Sequence, residues 1–281
     1  RALEHQIPEV DVVHLHSVFL WPTWKAARVA TSANVPYVLS PRGMLVDTLI
    51  RQRSFFTKTA WIHLVERQNL SGAASVIASS AVEEQDLAFC SRWIQRIDVL
   101  PNGVDDEPKQ EVQQGATYGG DEFVMLGRVS WKKGIDRAIG ALAAVPNARL
   151  HVVGNDEESL VPRLRALSRR LGVAERVRFS PPAYGPEKRA VLAGAVALVV
   201  PSVSENFGNV VVEAMQQGTP VITGNSVGAA EWVREADAGL VLENTEEGAL
   251  ADAFRWFAAH PEERAAMGRR GTAVVERELT W

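Results

Sequence analysis

Two charged segments contain the residue types that bind phosphorylated ligands. The first is Gly127-Arg-Val-Ser-Trp-Lys-Lys-Gly134, which follows an apolar run and precedes a helical pattern. The planar guanidinium of Arg128 can hold two phosphate oxygens at once, and Lys133 adds a compact positive charge. The alternative interpretation is a solvated basic turn, which we prefer for Lys132. The functional interpretation is that Arg128 and Lys133 neutralise a diphosphate without a metal ion.

The second segment, residues 204–215, carries two carboxylates, Glu205 and Glu213. Gly208 lets a ligand approach the backbone, and a helix beginning there points free N–H groups and a positive dipole end at that ligand. The eight-residue spacing spans about 12 Å of helix, so the two carboxylates cannot bind one atom. The neighbours of Glu213 are apolar, so this carboxylate needs a partner and does not fit an ordinary helix surface. The pair suits opposite ends of an extended ligand, such as the sugar and the ribose of a nucleotide-sugar.

The pattern around these segments is that of an α/β protein. Short apolar runs alternate with amphipathic stretches, which predicts parallel sheets with helices on both faces. The predicted strands are 11–16, 37–40, 74–78 and 97–100, then 123–126, 149–153, 177–179, 196–200, 220–223 and 239–242. Helices are predicted at 24–32, 55–70, 82–89, 135–144, 158–171, 187–193, 209–217, 228–235, 247–259 and 262–278. The junction at residues 101–105, with the polar linker up to 120, predicts a first domain, 1–101, and a second, 102–281.

The composition excludes several classes of protein. With 30 basic and 34 acidic residues the net charge is -4, which argues against nucleic acid as a partner, because a phosphate backbone calls for a strongly basic face. Cys90 is the single cysteine, so the chain forms neither an internal disulfide nor a thiolate zinc cluster. No apolar run is long enough to span a bilayer. The first strand series is short and the chain opens at Arg1 without Met, so we expect a fragment whose first domain lacks its opening βα units.

In order and spacing, these motifs resemble those of the retaining glycosyltransferases of family 4, which have the GT-B fold. The family pattern is a Gly-Arg…Lys-Gly phosphate segment and a Glu-x7-Glu pair followed by Ala. Here it comprises Gly127, Arg128, Lys133, Gly134, Glu205, Phe207, Gly208, Glu213 and Ala214, and it extends to 101–105, 220–224 and 239–242. The resemblance implies two Rossmann-like doubly wound domains facing a cleft, the first one incomplete. It also implies transfer of a sugar from a UDP- or GDP-sugar to a glycan or lipid-linked acceptor in bacterial polysaccharide assembly.

The resemblance assigns expected roles to individual residues. Arg128 and Lys133 would bind the donor diphosphate, and Glu213 the ribose hydroxyls. The full set of implied donor contacts is Arg128, Lys133, Glu205, Asn206, Phe207, Gly208, Asn209 and Glu213, with the nucleobase against the loop 181–184. Glu205 would hold the sugar at the catalytic centre together with the backbone of residues 206–208. No carboxylate is an evident nucleophile, so front-face attack by the acceptor is implied, with no metal ion and no other cofactor.

The first domain contributes candidates on the acceptor side. His14-Leu-His16 ends a predicted strand, and strand alternation puts both imidazoles on one face. Similar family members carry a His here that contacts the transferred sugar, and His16 is the expected catalytic residue because it lies nearer the end of the strand; a structural histidine is the alternative. Arg42, after the strand 37–40, is expected to steer the acceptor or a phosphate. The stretch 49–58 mixes basic and aromatic residues, and an ordinary amphipathic helix with apolar residues inward is preferred over a membrane-contacting surface.

The pattern departs from the family at both ends. The opening strand and Gly-rich loop of the family are missing, and the chain stops at Trp281, where members begin a further helix. A chain of these residues is therefore expected to bind a nucleotide yet turn over poorly. Two other functions stay open: a GT-B nucleotide-sugar 2-epimerase, and a donor-binding module without activity. The expected location is the cytoplasm, with peripheral contact to the inner face of the membrane.

Overall fold

The chain divides into two compact units, Arg1–Asn102 and Gly103–Trp281, whereas the sequence pattern places the division after residue 101. A computed structural model describes residues 2–52, 55–106 and 122–281. Most of the linker predicted to run up to residue 120 lies outside the described residues. Each unit is built on its own parallel sheet.

Four parallel strands form the sheet of the first unit, in the order β1-β2-β3-β4. They are β1 (Val13–His16), β2 (Tyr37–Ser40), β3 (Ser75–Ala78) and β4 (Ile97–Val99). Leu15, Leu39 and Val76 hold neighbouring register positions and are buried, so an apolar row crosses the sheet. His16 is level with Ser40 at the carboxyl ends of β1 and β2, the edge at which open α/β sheets bind ligands.

The helices of the first unit differ from prediction in several places, because no helix was predicted before residue 24 or between residues 33 and 54. They are α1 (Ala2–Gln6), α2 (Trp21–Ser32), α3 (Asp47–Gln52), α4 (Phe55–Trp61), α5 (Arg67–Gly72) and α6 (Ala81–Asp86), with 3-10 turns at Ile7–Glu9 and Leu87–Trp93. The single α-helix predicted over 55–70 is wrong, because a π-helical turn, Ile62–Glu66, separates α4 from α5. Phe56 is 84% exposed, so the expectation that the apolar residues of 49–58 point inward is wrong for this residue. Residues 53 and 54 of that stretch lie outside the described residues.

Six parallel strands form the sheet of the second unit, in the order β10-β9-β8-β5-β6-β7. They are β5 (Glu122–Leu126), β6 (Arg149–Val153), β7 (Val177–Ser180), β8 (Ala197–Val200), β9 (Val221–Gly224) and β10 (Gly239–Leu242). From β5 the chain proceeds to one edge of the sheet, and from β8 it proceeds to the other. The strand order therefore reverses between β5 and β8, and such a reversal leaves a ligand-binding crevice at the carboxyl ends of the two strands.

Helices of the second unit follow the predicted boundaries to within a few residues. They are α7 (Ile135–Ala143), α8 (Val161–Arg170), α9 (Gly185–Ala193), α10 (Asn209–Gln216), α11 (Ala230–Glu235), α12 (Glu247–Ala259) and α13 (Pro261–Glu278), with 3-10 turns at Trp131–Lys133 and Ala174–Arg176. The core of the sheet is closed by α7 and α12, where Phe123 stacks on Phe254 with ring centroids 4.3 Å apart. A well-packed core of this kind holds the ends of β5 and β8 in fixed positions.

Candidate functional site

The loops that follow β5 and β8 meet at the point where the strand order reverses. The Lys133 ammonium lies 2.8 Å and 3.0 Å from the two carboxylate oxygens of Glu205, although the two residues are far apart in the sequence. Both side chains are largely buried, at 20% and 23% exposure. The Val203 N–H donates to the Lys132 carbonyl at 2.8 Å, which joins the two loops through the main chain. The structure thus brings together two residues that the sequence motifs assigned to one ligand.

Glycines shape the loop after β5. Gly127 and Gly134 have φ angles of 139° and 65°, values that side chains rarely allow. Gly154, at the end of β6, lies so close to this loop that an added Cβ would stand 1.7 Å from the Gly127 carbonyl oxygen. A side chain at residue 154 would therefore push the phosphate segment away from the sheet. The sequence motifs did not include Gly154. A glycine directly after a strand was the signal that could have indicated a close approach of the backbone here.

A depression of about 290 Å³ lies beside this loop at the carboxyl ends of the strands. Arg128 and Lys133 both border it, but the Arg128 side chain is 70% exposed and its guanidinium lies 3.3 Å from Glu157. The Ser202 hydroxyl also borders the depression, is buried, and has no hydrogen-bond partner among the described residues. A buried hydroxyl without a partner is costly, so Ser202 is a candidate ligand contact that the motifs did not identify.

The segment from Glu205 to Gly208 is held by the loop after β9. The Glu205 N–H donates to the Ser226 carbonyl at 3.0 Å, and the Ala229 N–H donates to the Phe207 carbonyl at 2.7 Å. The Phe207 side chain is 1% exposed and belongs to the core, so only its main chain is available to a ligand. Gly208 has a φ of 92° and directly precedes α10. Its conformation turns the chain directly from the loop into this eight-residue helix, whose N-terminal N–H groups point back toward the loop.

Asn206 and Asn209, the remaining residues of the predicted donor set, flank Gly208. Asn206 is partly buried and Asn209 is exposed at the first position of α10. Asn209 borders a second depression of about 620 Å³, which Glu213 also borders. Of the predicted donor contacts, Arg128 and Lys133 thus border one depression, and Asn209 and Glu213 border another.

Glu213 has a cationic partner of its own. The Lys188 ammonium, on α9, lies 2.9 Å from the Glu213 carboxylate, with the two side chains 28% and 25% exposed. The expectation that a carboxylate among apolar neighbours needs a partner is confirmed, and the carboxylates of Glu205 and Glu213 pair with different lysines. The motifs did not identify Lys188. The signal for it was indirect, since a half-buried carboxylate requires a nearby cation or donor.

A separate polar cluster lies at the carboxyl ends of β1 and β2 in the first unit. The imidazoles of His14 and His16 lie on one face, as alternation predicts, with ring centroids 4.0 Å apart. The Arg42 guanidinium donates to His16 Nδ1 at 3.3 Å and to the Asn102 side-chain oxygen at 2.8 Å. Burial and the positive charge of Arg42 lower the pKa of His16, while burial, His16 and Arg42 lower the pKa of His14. Ser40 completes the cluster, with its hydroxyl 2.9 Å from His14 Nε2.

Two buried carboxylates anchor the loops that carry this cluster. Glu66, in the π turn, accepts hydrogen bonds from the Phe19 N–H at 2.7 Å and from the Trp61 indole at 2.8 Å. Glu83, at the start of α6, accepts from the Gly43 N–H at 2.6 Å and from both the N–H and the hydroxyl of Ser79. Hydrogen bonds to an ionised acceptor are among the stronger ones in proteins. Glu66 thus fixes the loop after His16, and Glu83 the loop around Arg42.

Within residues 2–52, 55–106 and 122–281, no group of three or more His, Cys, Asp or Glu side chains is arranged to hold a metal ion. In the same part of the chain, no helix combines the length and the apolar character that crossing a membrane requires.

Two parallel-sheet, Rossmann-like units define the fold as GT-B, which the chain shares with solved glycosyltransferases. It is similar to sucrose-phosphate synthase from Thermosynechococcus elongatus, with a TM-score of 0.77 and 25% identity over 97% of this chain and 70% of that one. It is also similar to HepE of Anabaena in complex with UDP and glucose, with a TM-score of 0.81 and 21% identity over 99% of this chain and 76% of that one. The predicted GT-B fold class with two Rossmann-like domains is confirmed.

The chain belongs to the family of glycosyl transferases group 1, whose pattern it matches over residues 106–274. Residues 1–103 match a second family, the glycosyl transferase 4-like domain. Among curated proteins, a D-inositol 3-phosphate glycosyltransferase of Segniliparus rotundus is 31% identical over an alignment of 230 residues, which covers 77% of this chain and 51% of that protein. The chain thus spans about half the length of that relative. These matches do not favour an epimerase.

Proposed function

We propose that the chain binds a nucleoside-diphosphate sugar and transfers its sugar to an acceptor with retention of anomeric configuration. The observation that carries the proposal is the Lys133–Glu205 pair at the reversal of strand order, in a chain of the group 1 family. An ammonium and a carboxylate that lie side by side are also the two groups that a phosphorylated sugar requires. The diphosphate takes the cation, and the sugar hydroxyls take the carboxylate.

The donor diphosphate binds to positive charge that the protein already holds in place. Lys133 and Arg128 border one depression, and α10 directs its N-terminal N–H groups toward the loop that precedes it. These groups stabilise the charge that develops on the diphosphate as the bond to the sugar breaks. We therefore propose that neither a metal ion nor another cofactor is needed.

Glu213 binds the ribose hydroxyls at the other end of the donor. Its carboxylate is held by Lys188, and it borders the second depression together with Asn209. The loop 181–184, which precedes α9, receives the nucleobase, and Tyr184 in this loop is 76% exposed. The HepE structures contain UDP and UDP-glucose, and on this ground we place UDP-sugars ahead of GDP-sugars as the donor.

Retention follows if the acceptor attacks from the face that the diphosphate leaves. The bond between the anomeric carbon and the phosphate oxygen breaks, the acceptor oxygen forms its bond on the same face, and the acceptor proton passes to the departing phosphate oxygen. Both oxygens of Glu205 lie within 3.0 Å of Lys133. We assign Glu205 to the hydroxyls of the donor sugar, not to a nucleophilic role.

The first unit carries His16 and Arg42 at the carboxyl edge of its sheet, and we assign His16 to the transferred sugar. We propose a glycan or lipid-linked acceptor, as in polysaccharide assembly. We also propose a cytoplasmic location with peripheral contact to the inner face of the membrane. Phe56 and Leu64, at 84% and 73% exposure, are the apolar side chains that favour such contact.

A panel of UDP- and GDP-sugars, each with and without EDTA, tests the proposal. The expected result is release of one nucleoside diphosphate that EDTA does not suppress, with the transferred sugar keeping the anomeric configuration of the donor. Inversion would contradict the retaining mechanism, and loss of activity with EDTA would contradict metal independence. Release of a free epimerised sugar would identify an epimerase, and binding without turnover would identify a donor-binding module.

Two single substitutions test the contacts at the two ends of the donor separately, one at the ribose and one at the sugar. Glu213→Ala is expected to weaken UDP binding by about tenfold, the effect of one lost hydrogen-bonding group. Glu205→Ala is expected to leave UDP affinity within a fewfold of the original and to remove the extra affinity that the sugar confers. Isothermal titration calorimetry with UDP and with a UDP-sugar measures both effects. Equal UDP affinity of the original chain and Glu213→Ala would refute the ribose assignment.

A further inference from the structure

The hydrogen bonds around His16 determine which of its ring nitrogens carries the proton. Arg42 Nε and Nη2 both lie 3.3 Å from His16 Nδ1, so the guanidinium directs two N–H groups at one nitrogen. A guanidinium donates only, and it stays charged at every physiological pH. His16 Nδ1 must therefore present its lone pair, and in the neutral ring the proton resides on Nε2.

The position of Arg42 is determined independently of His16. Its backbone has a φ of 57° and is followed by Gly43 at 70°, whose N–H donates to the buried Glu83 carboxylate. A residue other than glycine persists in this region only where its surroundings hold it there, and such residues cluster at functional sites. At its other end, the guanidinium donates from Nη1 to the Asn102 side-chain oxygen at 2.8 Å. Arg42 is thus held at the backbone and at the guanidinium.

We propose that Arg42 is a positioning residue, which fixes His16 as the Nε2–H tautomer and so makes His16 a hydrogen-bond donor to a sugar oxygen. His16 then does not act as a general base, because its lone pair is occupied by Arg42. The part that concerns the sugar rests on the proposed function, whereas the part that concerns the tautomer does not. Arg42 accordingly acts through His16, and its guanidinium is not the group that binds the acceptor.

The electrostatic surroundings of His16 agree with a neutral ring. Two titratable or charged groups face it among the described residues: His14 from β1, and Arg42 from the loop after β2. Burial and Arg42 lower the pKa of His16. Removing Arg42 removes both the tautomer constraint and a source of that lowering.

Nuclear magnetic resonance of the full chain with 15N-labelled histidine tests the tautomer without any substrate. The chain has six histidines, and His16 is assigned by the loss of its signals in His16→Gln. At neutral pH, long-range 1H–15N correlations are expected to show the His16 proton on Nε2. In Arg42→Met, the ring is expected to become a mixture of both tautomers with a raised pKa. Protonation on Nδ1 in the original chain, or an unchanged tautomer and pKa in Arg42→Met, would overturn the proposal.

Controls separate this effect from misfolding. Arg51→Met removes a surface guanidinium of the same unit, one that pairs with Asp47, and should leave the His16 signals unchanged. The signals of buried His151 report whether the second unit stays folded. If Arg42→Met alters the signals of every histidine, Asn102→Ala replaces it, because this variant frees the other arm of Arg42 and should broaden the tautomer distribution. A tautomer and a His16 pKa that stay unchanged in Asn102→Ala would then count against the proposal, because the Arg42 guanidinium would have lost its Asn102 contact without any effect on His16.

The donor role of His16 is tested by two amides of different length. The Gln side chain places an N–H group near the position of His Nε2, and the Asn side chain places one near Nδ1. The extra affinity of a UDP-sugar over UDP is expected to fall about tenfold in His16→Asn and clearly less in His16→Gln. Equal losses would contradict the donor role. If the original chain binds no nucleotide-sugar at all, the proposed function and the sugar part fail together, while the resonance measurement still decides the tautomer.

Discussion

The two units hold their candidate residues in place by different physical means. In the second unit, Lys133 meets Glu205 and Lys188 meets Glu213, so each carboxylate is matched by a cation from another part of the chain. In the first unit, Arg42 and two imidazoles of lowered pKa form the cluster, and buried carboxylates hold the loops. The candidate residues of the second unit form ion pairs, in which a charged ligand can replace one partner. Those of the first unit are held in fixed directions by hydrogen bonds.

Residues that bind a ligand and residues that support them differ in how easily a sequence reveals them. Charged residues that contact a ligand stand out by type and spacing. The carboxylates that hold a loop in position, Glu66 and Glu83, sit inside ordinary helical patterns. Substitutions that change stability or binding in one unit and leave the other unit unchanged therefore test this difference most directly.

The largest effect is expected from Glu83→Ala in the first unit. The substitution leaves the N–H of Gly43 and the N–H and hydroxyl of Ser79 without their acceptor. The loss of three hydrogen bonds to a buried carboxylate is expected to destabilise the unit by about 3–5 kcal/mol. Urea unfolding followed by tryptophan fluorescence measures the change, with exposed Glu84→Ala as the matched control. UDP binding by the second unit should survive below the transition, and an unchanged unfolding midpoint would contradict the role of Glu83.

A second expected effect is a dependence of stability on pH that comes from His151 in the second unit. Burial, with the nearby Arg178, lowers the pKa of His151 from 6.5 to about 4, although Glu122 opposes the shift. Between these two values the unfolded chain binds the proton and the folded chain does not, so the free energy of unfolding falls as the pH falls. The contribution is fully present above pH 6.5 and amounts to about 3 kcal/mol.

Urea unfolding of the original chain and of His151→Gln at pH 7, 6, 5 and 4.5 measures this dependence. The difference between the two chains in free energy of unfolding should shrink steadily as the pH is lowered. His14 and His16 also have lowered pKa values and contribute with the same sign in both chains, so they cancel in the difference. A difference that stays constant with pH would contradict a neutral, buried His151.

Gly154→Ala is expected to have a smaller effect on stability and a local effect on binding. The added methyl group would meet the Gly127 carbonyl oxygen and shift the loop that carries Arg128 and Lys133. Overpacking of this kind costs about 1–3 kcal/mol. Gly248→Ala, in α12, is the control, because an added Cβ there meets nothing within 4 Å. Unchanged unfolding free energy and UDP affinity in Gly154→Ala would show that the loop does not depend on this contact.

The sequence predicted the strands well because their apolar runs are short and bounded by polar turns. The boundaries of β2, β6 and β10 agree with prediction residue for residue. The helix over 55–70 failed because periodicity cannot reveal that Glu66 is buried. The Glu66 carboxylate accepts hydrogen bonds from Phe19, Trp61 and Asn69, and Phe19 comes from a distant segment of the chain.

The sequence motifs predicted residues of the candidate site, but not which of these residues form ion pairs with each other. Motif spacing identified Lys133 and Glu205 as contacts of one ligand, yet it did not indicate that they bind each other in the free protein. Lys188 and Ser202 were missed, because a lysine on a helix and a serine after a strand are common. Only their contacts, a half-buried carboxylate for one and an unpartnered buried hydroxyl for the other, distinguish them.

Calorimetric titration of the chain with UDP tests the central claim most directly, with Lys133→Ala and Lys132→Ala measured alongside. Loss of a charge-assisted contact to the diphosphate is worth about 1.5–3 kcal/mol. Lys133→Ala is therefore expected to weaken UDP binding by about 10- to 100-fold. The neighbouring Lys132→Ala should change UDP affinity by less than about threefold. If Lys133→Ala binds UDP as tightly as the original chain, or if the original chain binds neither UDP nor GDP, the assignment of the donor site is wrong.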